Sequence, residues 1–395
     1  MNKFTKINLA RGKEHSLKRF HPWVFSGAIK KIHGDVNEGD VVEVFSSHNE
    51  FLGIGHYGTG SISVRIFSFK AVDPDVTFWK SKIKLAYEIR KSIGLFNNEQ
   101  TNVYRLIYAE GDGLPGLIID VYDTTAVIQA HSLGMHSVKD HIVEGLKEVL
   151  GNNLKAIYDK SEESLHHQGP SNIKNGYLYG GSDENRVALE NGHKFFVDWE
   201  EGQKTGFFID QRENRALLAR YAPGRSILNT FCYTGGFSIY GLKAGAKMVH
   251  SVDSSKKAIA LTEKNVSLNN LAARHQSFAV DTFEFFKGAD QKYDLIVLDP
   301  PAFAKHQNAR HNALMGYKRL NTEAIKKILP GGILFTFSCS QVVDSKLFQN
   351  TVMAAAIEAG RNIRIMHQLS HPADHPVNLF HPEGEYLKGL VLHVE

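Results

Sequence analysis

Cys339 stands between two serines, Ser338 and Ser340, directly after the apolar run Ile333–Phe337. Asp299 opens Asp299-Pro300-Pro301 directly after a second apolar run, Tyr293–Leu298. A thiol and a carboxyl at the ends of two such runs suit nucleophilic catalysis on an aromatic ring. A thiolate adds to a ring carbon, and a neighbouring acid or hydrogen-bond donor stabilises the adduct. The two prolines stiffen the backbone and remove N–H groups, so the segment offers carbonyls and a carboxylate as acceptors. Such acceptors suit a base bearing an amino group or a protonated ring nitrogen. The competing reading of Cys339 is an inert core cysteine, but the two flanking serines argue against a purely apolar setting. Cys232, the other cysteine, reads as packing.

These groups need a scaffold that brings strand ends together, and Arg225–Ser255 supplies its outline. Ile227–Phe231 reads as a buried strand, Cys232–Gly236 as a tight turn and Phe237–Ala244 as a short helix. Met248–Val252 is a second strand closed by Asp253. In doubly wound folds a carboxylate there grips a ribose through its hydroxyls. The turn is not G-x-G-x-x-G, the spacing that seats a pyrophosphate on a helix N-terminus. It carries Phe231, Cys232 and Tyr233 before Gly235 and Gly236. That favours a nucleoside ligand without a pyrophosphate, of which S-adenosylmethionine (SAM) is the common case. The competing reading is a plain structural crossover. Lys256–Leu268 is a helix and Gln276–Ala279 a third strand, followed by Asp281 and Thr282. Asp281 is placed to accept from an adenine amino group. Gln211 and Arg212 open a helix just before the nucleoside unit and line the same cleft. The predicted cofactor set is Gln211, Arg212, Asn229, Phe231, Tyr233, Gly235, Asp253, Ser254, Asp281, Thr282 and Asp299. Ligands in open α/β sheets bind outside the carboxyl ends of the strands, so these residues should converge with Cys339.

The rest of this region supports a buried parallel sheet. Tyr293–Leu298 is unbroken apolar, as in a strand covered on both faces. Gly316–Leu329 and Gln349–Gly360 read as helices, Pro330-Gly331-Gly332 as a turn and Leu387–His393 as the last strand. The Gly202–Thr205 stretch superficially resembles a phosphate-binding Gly-Lys-Thr. It lacks the earlier glycine and the following helix start, so a P-loop is rejected.

Upstream, Asp40–Phe45, Phe51–His56 and Ile62–Phe67 are short strands separated by turns, which predicts a small β-barrel. Arg11 and Lys13 precede it, followed by Pro22-Trp23-Val24-Phe25. Cations beside aromatics suit a surface that grips phosphates and stacks bases; the competing reading makes Trp23 and Phe25 core. Asp75–Ile93 and Ser137–Leu150 are helical, with Tyr104–Ala109, Leu117–Val121, Ala126–Ala130 and Ala156–Tyr158 as strands. The turn Glu110–Gly116 is dense in glycine, and Asp112 is best read as shaping it. The predicted division is a β-barrel domain over 1–72, an α+β domain over 73–190 and a Rossmann-like domain over 191–395.

The chain has 395 residues, 42% of them apolar and 22% charged, with a net charge of +4. That composition is globular, and it permits nucleic-acid binding without demanding it. Two cysteines make no disulfide framework, and no Cys/His run has zinc spacing, so no metal is expected. No apolar run reaches the roughly 18 residues of a membrane span, and the N-terminal stretch lacks the apolar core of a signal peptide. The expected location is the cytoplasm.

GQKTGFFIDQRENR (202–215), LNTFCYTGGFSIY (228–240), SVDSS (251–255), DLIVLDPPAFAK (294–305) and TFSCS (336–340) together resemble the large-subunit ribosomal RNA methyltransferase I family. PWVFSGAI (22–29) and AEGDGLPGLIIDVY (109–122) resemble its other two domains. The resemblance covers nearly the whole chain. It implies an N-terminal PUA domain for RNA, a central α+β domain and a C-terminal Rossmann-like, SAM-dependent methyltransferase domain. It further implies methylation of cytosine carbon 5 in 23S ribosomal RNA and a homodimer. By residue it implies Asp253 on the ribose, Asp281 on adenine, Asp299 in the catalytic turn and Cys339 as nucleophile. Pro300, Pro301 and Phe303 would then contact the target base, and Arg11, Lys13 and Trp23 the RNA. Phe303 follows the family's Pro-Pro-Ala-Phe pattern, whereas amino-group methyltransferases place an aromatic directly after the prolines. His306 and Gln307 stand where the family often has serine. Two other readings stay open: guanine methylation, which needs no cysteine, and a non-catalytic RNA-binding assembly factor on a degenerate SAM fold.

Overall fold

The computed structural model describes residues 3–166, 173–182, 186–288, 290–304 and 306–395. The chain forms two compact units. One comprises Met1–Ala188, Val197–Phe207 and Ala373–Gly384; the other comprises Leu189–Phe196, Phe208–Pro372 and Glu385–Glu395. No helix among the described residues is long and apolar enough to cross a membrane.

The first unit begins with a six-stranded half-barrel. Its strand order is Trp23–Phe25, Ile62–Ser68, Phe51–Tyr57, Val41–Phe45, Thr5–Leu9, Ile29–His33. Strand alternation fills it: Val42 and Val44 are buried while their neighbours Val41, Glu43 and Phe45 are half-buried. Three of these strands have no counterpart in the sequence reading. Thr5–Leu9 and Ile29–His33 are short and lysine-bearing, and Trp23–Phe25 has only three residues. A second, five-stranded sheet runs Gly176–Tyr179, Ala156–Asp159, Thr125–Ala130, Leu117–Tyr122, Val103–Tyr108. Helices Val76–Ser92 and Lys139–Leu150 bring Trp79, Ile83, Ile142 and Leu146 into its core. Asp112 holds the glycine-dense turn: it pairs with buried Arg90 and accepts from the Tyr108 amide at 2.6 Å. Thr205 is buried in this unit, its hydroxyl 2.9 Å from that of Tyr122, a structural role that fits the rejection of a P-loop.

Among its described residues the second unit has a seven-stranded sheet and six α-helices, and it also holds the strand His193–Phe196. The strands of the sheet are β1 (Ser226–Thr230), β2 (Met248–Asp253), β3 (His275–Ala279), β4 (Tyr293–Leu298), β5 (Ile328–Ser338), β6 (Ile363–Leu369) and β7 (Lys388–Val394). The helices are α1 (Arg212–Tyr221), α2 (Gly236–Lys243), α3 (Lys256–Leu268), α4 (Thr282–Gly288), α5 (Arg310–Lys327) and α6 (Ser345–Ala359). The strand order is β3-β2-β1-β4-β5-β7-β6, with β1 to β5 parallel and β7 antiparallel between β5 and β6. Leu295, Ile296, Val297 and Leu298 are all fully buried, as a central parallel strand requires.

Two expectations need correction here. Pro330-Gly331-Gly332 is not a turn but a bulge within β5. Tyr293 pairs with Ile328 and Leu295 with Ile333, so the intervening residues loop out, with Gly331 at φ +79°. A bulge tolerates proline because no ladder N–H is needed there. The other is an omission: β6, a half-exposed edge strand in which Arg364, His367 and Gln368 interrupt the apolar residues, has no counterpart in the sequence reading.

Candidate active site

The parallel strands β1, β2, β4 and β5 are in register, so their carboxyl ends share one edge. Thr230 pairs with both Val252 and Leu298, and Leu298 pairs with Thr336. Phe231, Asp253 and Asp299 therefore emerge side by side, and β5 extends past them to present Cys339. The predicted convergence of these four strand ends is what the topology delivers.

The turn after β1 is wound tightly. Phe231, Tyr233 and Gly235 have φ of +54°, +45° and +76°. Two non-glycine residues in that region store strain, which persists only where the surroundings hold it. The surroundings here are specific. The Cys232 amide donates to the Val252 carbonyl at 3.1 Å and the Gly235 amide to the Cys232 carbonyl at 2.7 Å. From α3, Thr262 Oγ1 donates to the Tyr233 carbonyl at 2.9 Å and Asn265 Nδ2 to the Thr234 carbonyl at 2.9 Å. Asp253 completes the frame: Oδ2 accepts from the Tyr233 amide at 3.1 Å and Oδ1 from the Ser255 amide at 2.9 Å. Each carboxylate oxygen keeps a second lone pair, which is what a ribose diol needs. Ser254 beside it is exposed.

Other predicted cofactor residues divide into presenting and supporting groups. Asp281 is exposed at the end of β3, and its Oδ1 accepts from the Phe283 amide at 2.9 Å, capping α4; Thr282 next to it is buried. Asn229 is buried, and its Nδ2 donates to Ser238 Oγ at 2.8 Å. Ser238 in turn meets Ser251 at 2.7 Å, and Ser251 meets His275 at 2.7 Å. Asn229 thus belongs to a polar chain beneath the turn. Gln211 and Arg212 are buried at the start of α1, and Gln211 Oε1 accepts from Asn214 at 2.6 Å.

Asp299 sits in an environment that favours its neutral form. Burial pushes its carboxyl up to about 7, and the neighbouring Asp210 charge adds to this. A hydrogen bond from Gln211 and the Arg215 guanidinium oppose it. Arg215 is itself buried and locked by Glu190 through two 2.8 Å bonds. Asp210 lies within the 202–215 stretch and opens the same helix as Gln211 and Arg212. Its partner, the Tyr386 hydroxyl, comes from 176 residues away and has no counterpart in the sequence reading.

Cys339 is half-buried, with its Sγ 3.8 Å from the Pro300 carbonyl oxygen. The proline turn is anchored beside it. Ser340 Oγ accepts from the Ala304 amide at 3.4 Å and meets the Tyr317 hydroxyl at 2.9 Å. The Phe303 ring packs on Tyr317 with centroids 4.6 Å apart, so Phe303 acts as the anchor of the loop. Pro300 is buried and Pro301 exposed; Lys305 lies outside the described residues. Cys232 is buried against Thr262, and burial pushes its thiol up to about 12, which makes it inert.

Arg11, Lys13 and Trp23 lie in the first unit. Arg11 and Lys13 are exposed, whereas Trp23 is half-buried and donates from Nε1 to Glu110 at 2.8 Å. His21, His381 and Glu383 approach one another within 4.8 Å there. The Trp23 amide donates to His21 Nδ1 at 3.2 Å, which leaves the ring proton on Nε2, 3.3 Å from Glu383. That is a histidine–carboxylate hydrogen bond.

Comparison with known proteins agrees with this geometry. Residues 7–69 match a PUA-like domain, and residues 155–381 match the S-adenosylmethionine-dependent methyltransferase domain. A ribosomal RNA large subunit methyltransferase I from Aeromonas hydrophila is 39% identical over 394 residues, covering 98% of each chain. One from Shewanella frigidimarina is 41% identical, covering 98% of this chain and 99% of its own. A solved SAM-dependent methyltransferase from Streptococcus mutans superposes with TM-score 0.84 at 25% identity, over 98% of this chain and 99% of its own. Another solved methyltransferase, in complex with SAH, gives 0.85 at 25% identity with the same coverage. With relatives 39% and 41% identical over 98% of its length, the chain belongs to the ribosomal RNA large subunit methyltransferase I family.

Proposed function

We propose that this SAM-dependent ribosomal RNA methyltransferase acts on carbon 5 of a cytosine in 23S RNA, through a covalent adduct to Cys339. The observation that carries the reading is the placement of Cys339, half-buried at the end of β5 and facing the Pro300 carbonyl at 3.8 Å. Carbon 5 of a pyrimidine is a poor nucleophile. Addition of the Cys339 thiolate to carbon 6 gives carbon 5 enamine character. Asp299, with its carboxyl pushed up to about 7, holds a proton to offer ring nitrogen 3 as the adduct forms. The Pro300 and Pro301 backbone, with no N–H to donate, leaves the amino group of cytosine an acceptor surface. SAM, when bound, supplies the electrophilic methyl group that carbon 5 takes. Loss of the carbon 5 proton to a base then expels the Cys339 thiolate.

The residues fit that cofactor. Asp253 keeps lone pairs for the ribose, Asp281 is exposed for the adenine amino group, and the Phe231–Gly235 turn lies on the other side of Asp253, at the end of the neighbouring strand β1. Arg11, Lys13 and Trp23, within the domain proposed over 1–72, would contact the RNA. The proposed central and catalytic domains are 73–190 and 191–395. A homodimer working in the cytoplasm follows from the family likeness, and sedimentation tests its stoichiometry.

Methyl transfer from labelled SAM to unmodified 23S RNA, digested and analysed by mass spectrometry, tests the reading. Labelled 5-methylcytidine, lost in Cys339→Ala, is expected. Labelled methylguanosine, with Cys339→Ala fully active, overturns it.

A further inference from the structure

We infer that Lys388 is the charge partner of Cys339: its ammonium holds the sulfur as thiolate before substrate arrives, making Lys388 a positioning residue for the nucleophile. The inference rests on the reading of Cys339 as nucleophile. It goes beyond it by naming what activates the thiol.

The argument starts from register. β7 runs antiparallel beside β5, with Ser338 opposite Lys388. Lys388 Nζ donates to the Ser340 carbonyl at 2.8 Å. The lysine therefore spans the backbone on both sides of Cys339, from the pair at Ser338 to the carbonyl at Ser340. It is only 5% exposed. Lysines are rarely buried unless paired. Yet no carboxylate among the described residues lies within ion-pair distance of Lys388, and its one hydrogen bond goes to a neutral carbonyl. Two N–H groups and a full charge are left in a confined space beside a single ionisable sulfur.

The surrounding charges agree. Of the anionic groups acting on Lys388, Cys339 comes first, ahead of Glu385 and Asp344. Burial lowers the amine to about 8. Each partner's ionised form favours the other's: the thiolate retains the ammonium, and the ammonium lowers the thiol. The other titratable groups around the sulfur are Tyr317 on α5, whose hydroxyl meets Ser340, and Asp299 after β4. Tyr317 is neutral, because burial raises it, and Asp299 is held toward neutrality. Lys388 is thus the cation available to the thiolate from these elements. Ionisation releases the Sγ proton to solvent and consumes no other reactant.

Alkylation by iodoacetamide tests this without RNA. The chain has two cysteines, and Cys232 is buried and inert, so the label reports Cys339 alone; Cys339→Ala should take none. The expected midpoint of rate against pH lies clearly below the ordinary thiol value of about 8.5. In Lys388→Met, which keeps the buried stem, it should rise by about one unit or more, with roughly tenfold slower labelling at pH 7. Lys388→Arg should keep the low midpoint. If Lys388→Met does not fold, Lys388→Gln replaces it, and the parent's midpoint alone still decides: a value at or above about 8.5 overturns the inference. So does an unchanged midpoint in the methionine variant. Failure of the cytosine reading appears separately, as methyl transfer surviving in Cys339→Ala.

Discussion

Replacing Gly235 by alanine probes the cofactor turn through two separable costs. The first is conformational. Gly235 sits at φ +76°, where a Cβ costs about 1–2 kcal/mol. The second is steric. The new Cβ would lie 2.8 Å from Thr262 Cγ2 and 3.2 Å from Thr262 Oγ1. Overpacking of this kind costs about 1–3 kcal/mol. Together they give about 3 kcal/mol, or roughly 6–12 °C in melting temperature for a domain of this size. Thr262→Ser removes Cγ2 and keeps the hydroxyl that donates to the Tyr233 carbonyl. The double variant should recover the steric part and keep the conformational part, a coupling of about 1–2 kcal/mol. Thermal unfolding of the four proteins reads the coupling, and calorimetry with SAM reads the site, where affinity in Gly235→Ala should fall at least tenfold. A melting temperature of Gly235→Ala within about 2 °C of the parent would refute the reasoning. So would additive effects of the two substitutions.

Asp253→Ala should weaken SAM binding by about 1.5–3 kcal/mol, a ten- to hundredfold rise in Kd by calorimetry, since it removes charge-assisted bonds to the ligand and frees the Tyr233 and Ser255 amides. Glu190→Gln should destabilise by about 3–5 kcal/mol in urea unfolding, because it leaves the buried Arg215 guanidinium uncompensated. Asp299 has its carboxyl raised in the fold, so between about pH 4 and 7 the folded state binds more protons than the unfolded one, and stability falls as pH rises through that window. Asp299→Asn should therefore gain stability relative to the parent between pH 4.5 and 7.5, by a few kcal/mol at most, while methyl transfer drops about 10²–10⁴-fold. An unfolding midpoint difference that stays constant across the two pH values would contradict this.

The sequence exposes the site wherever chemistry coincides with a strand end. Asp253, Asp299 and Cys339 each stand at the end of a run read as a strand, and parallel pairing must place such ends on one edge. What it hides are contacts made across long separations. Tyr386 reaches Asp210, and Lys388 reaches Ser340, from a segment whose residues spell nothing local. Phe303 reads as a substrate contact through the resemblance of Pro300-Pro301-Ala302-Phe303 to the family pattern, and its packing on Tyr317 is invisible in the sequence. The turn reading of Pro330-Gly331-Gly332 fails because composition alone does not distinguish a reversal from a bulge. The half-exposed edge strand Ile363–Leu369 escapes because its alternation of Ile363, Ile365 and Leu369 is broken by His367 in phase and Met366 out of phase.

The position of β7 has a consequence for how the enzyme is made. It is the last of the seven strands to leave the ribosome, yet it lies inside the sheet, between β5 and β6. Until it arrives, β5 offers a bare edge rich in phenylalanine, and β6 has no strand to pair with. The nascent chain therefore holds an incomplete sheet that is prone to association and needs prompt closure. Closure also brings Lys388 to the Ser340 carbonyl next to Cys339, so the strand that seals the sheet also completes the surroundings of the thiol.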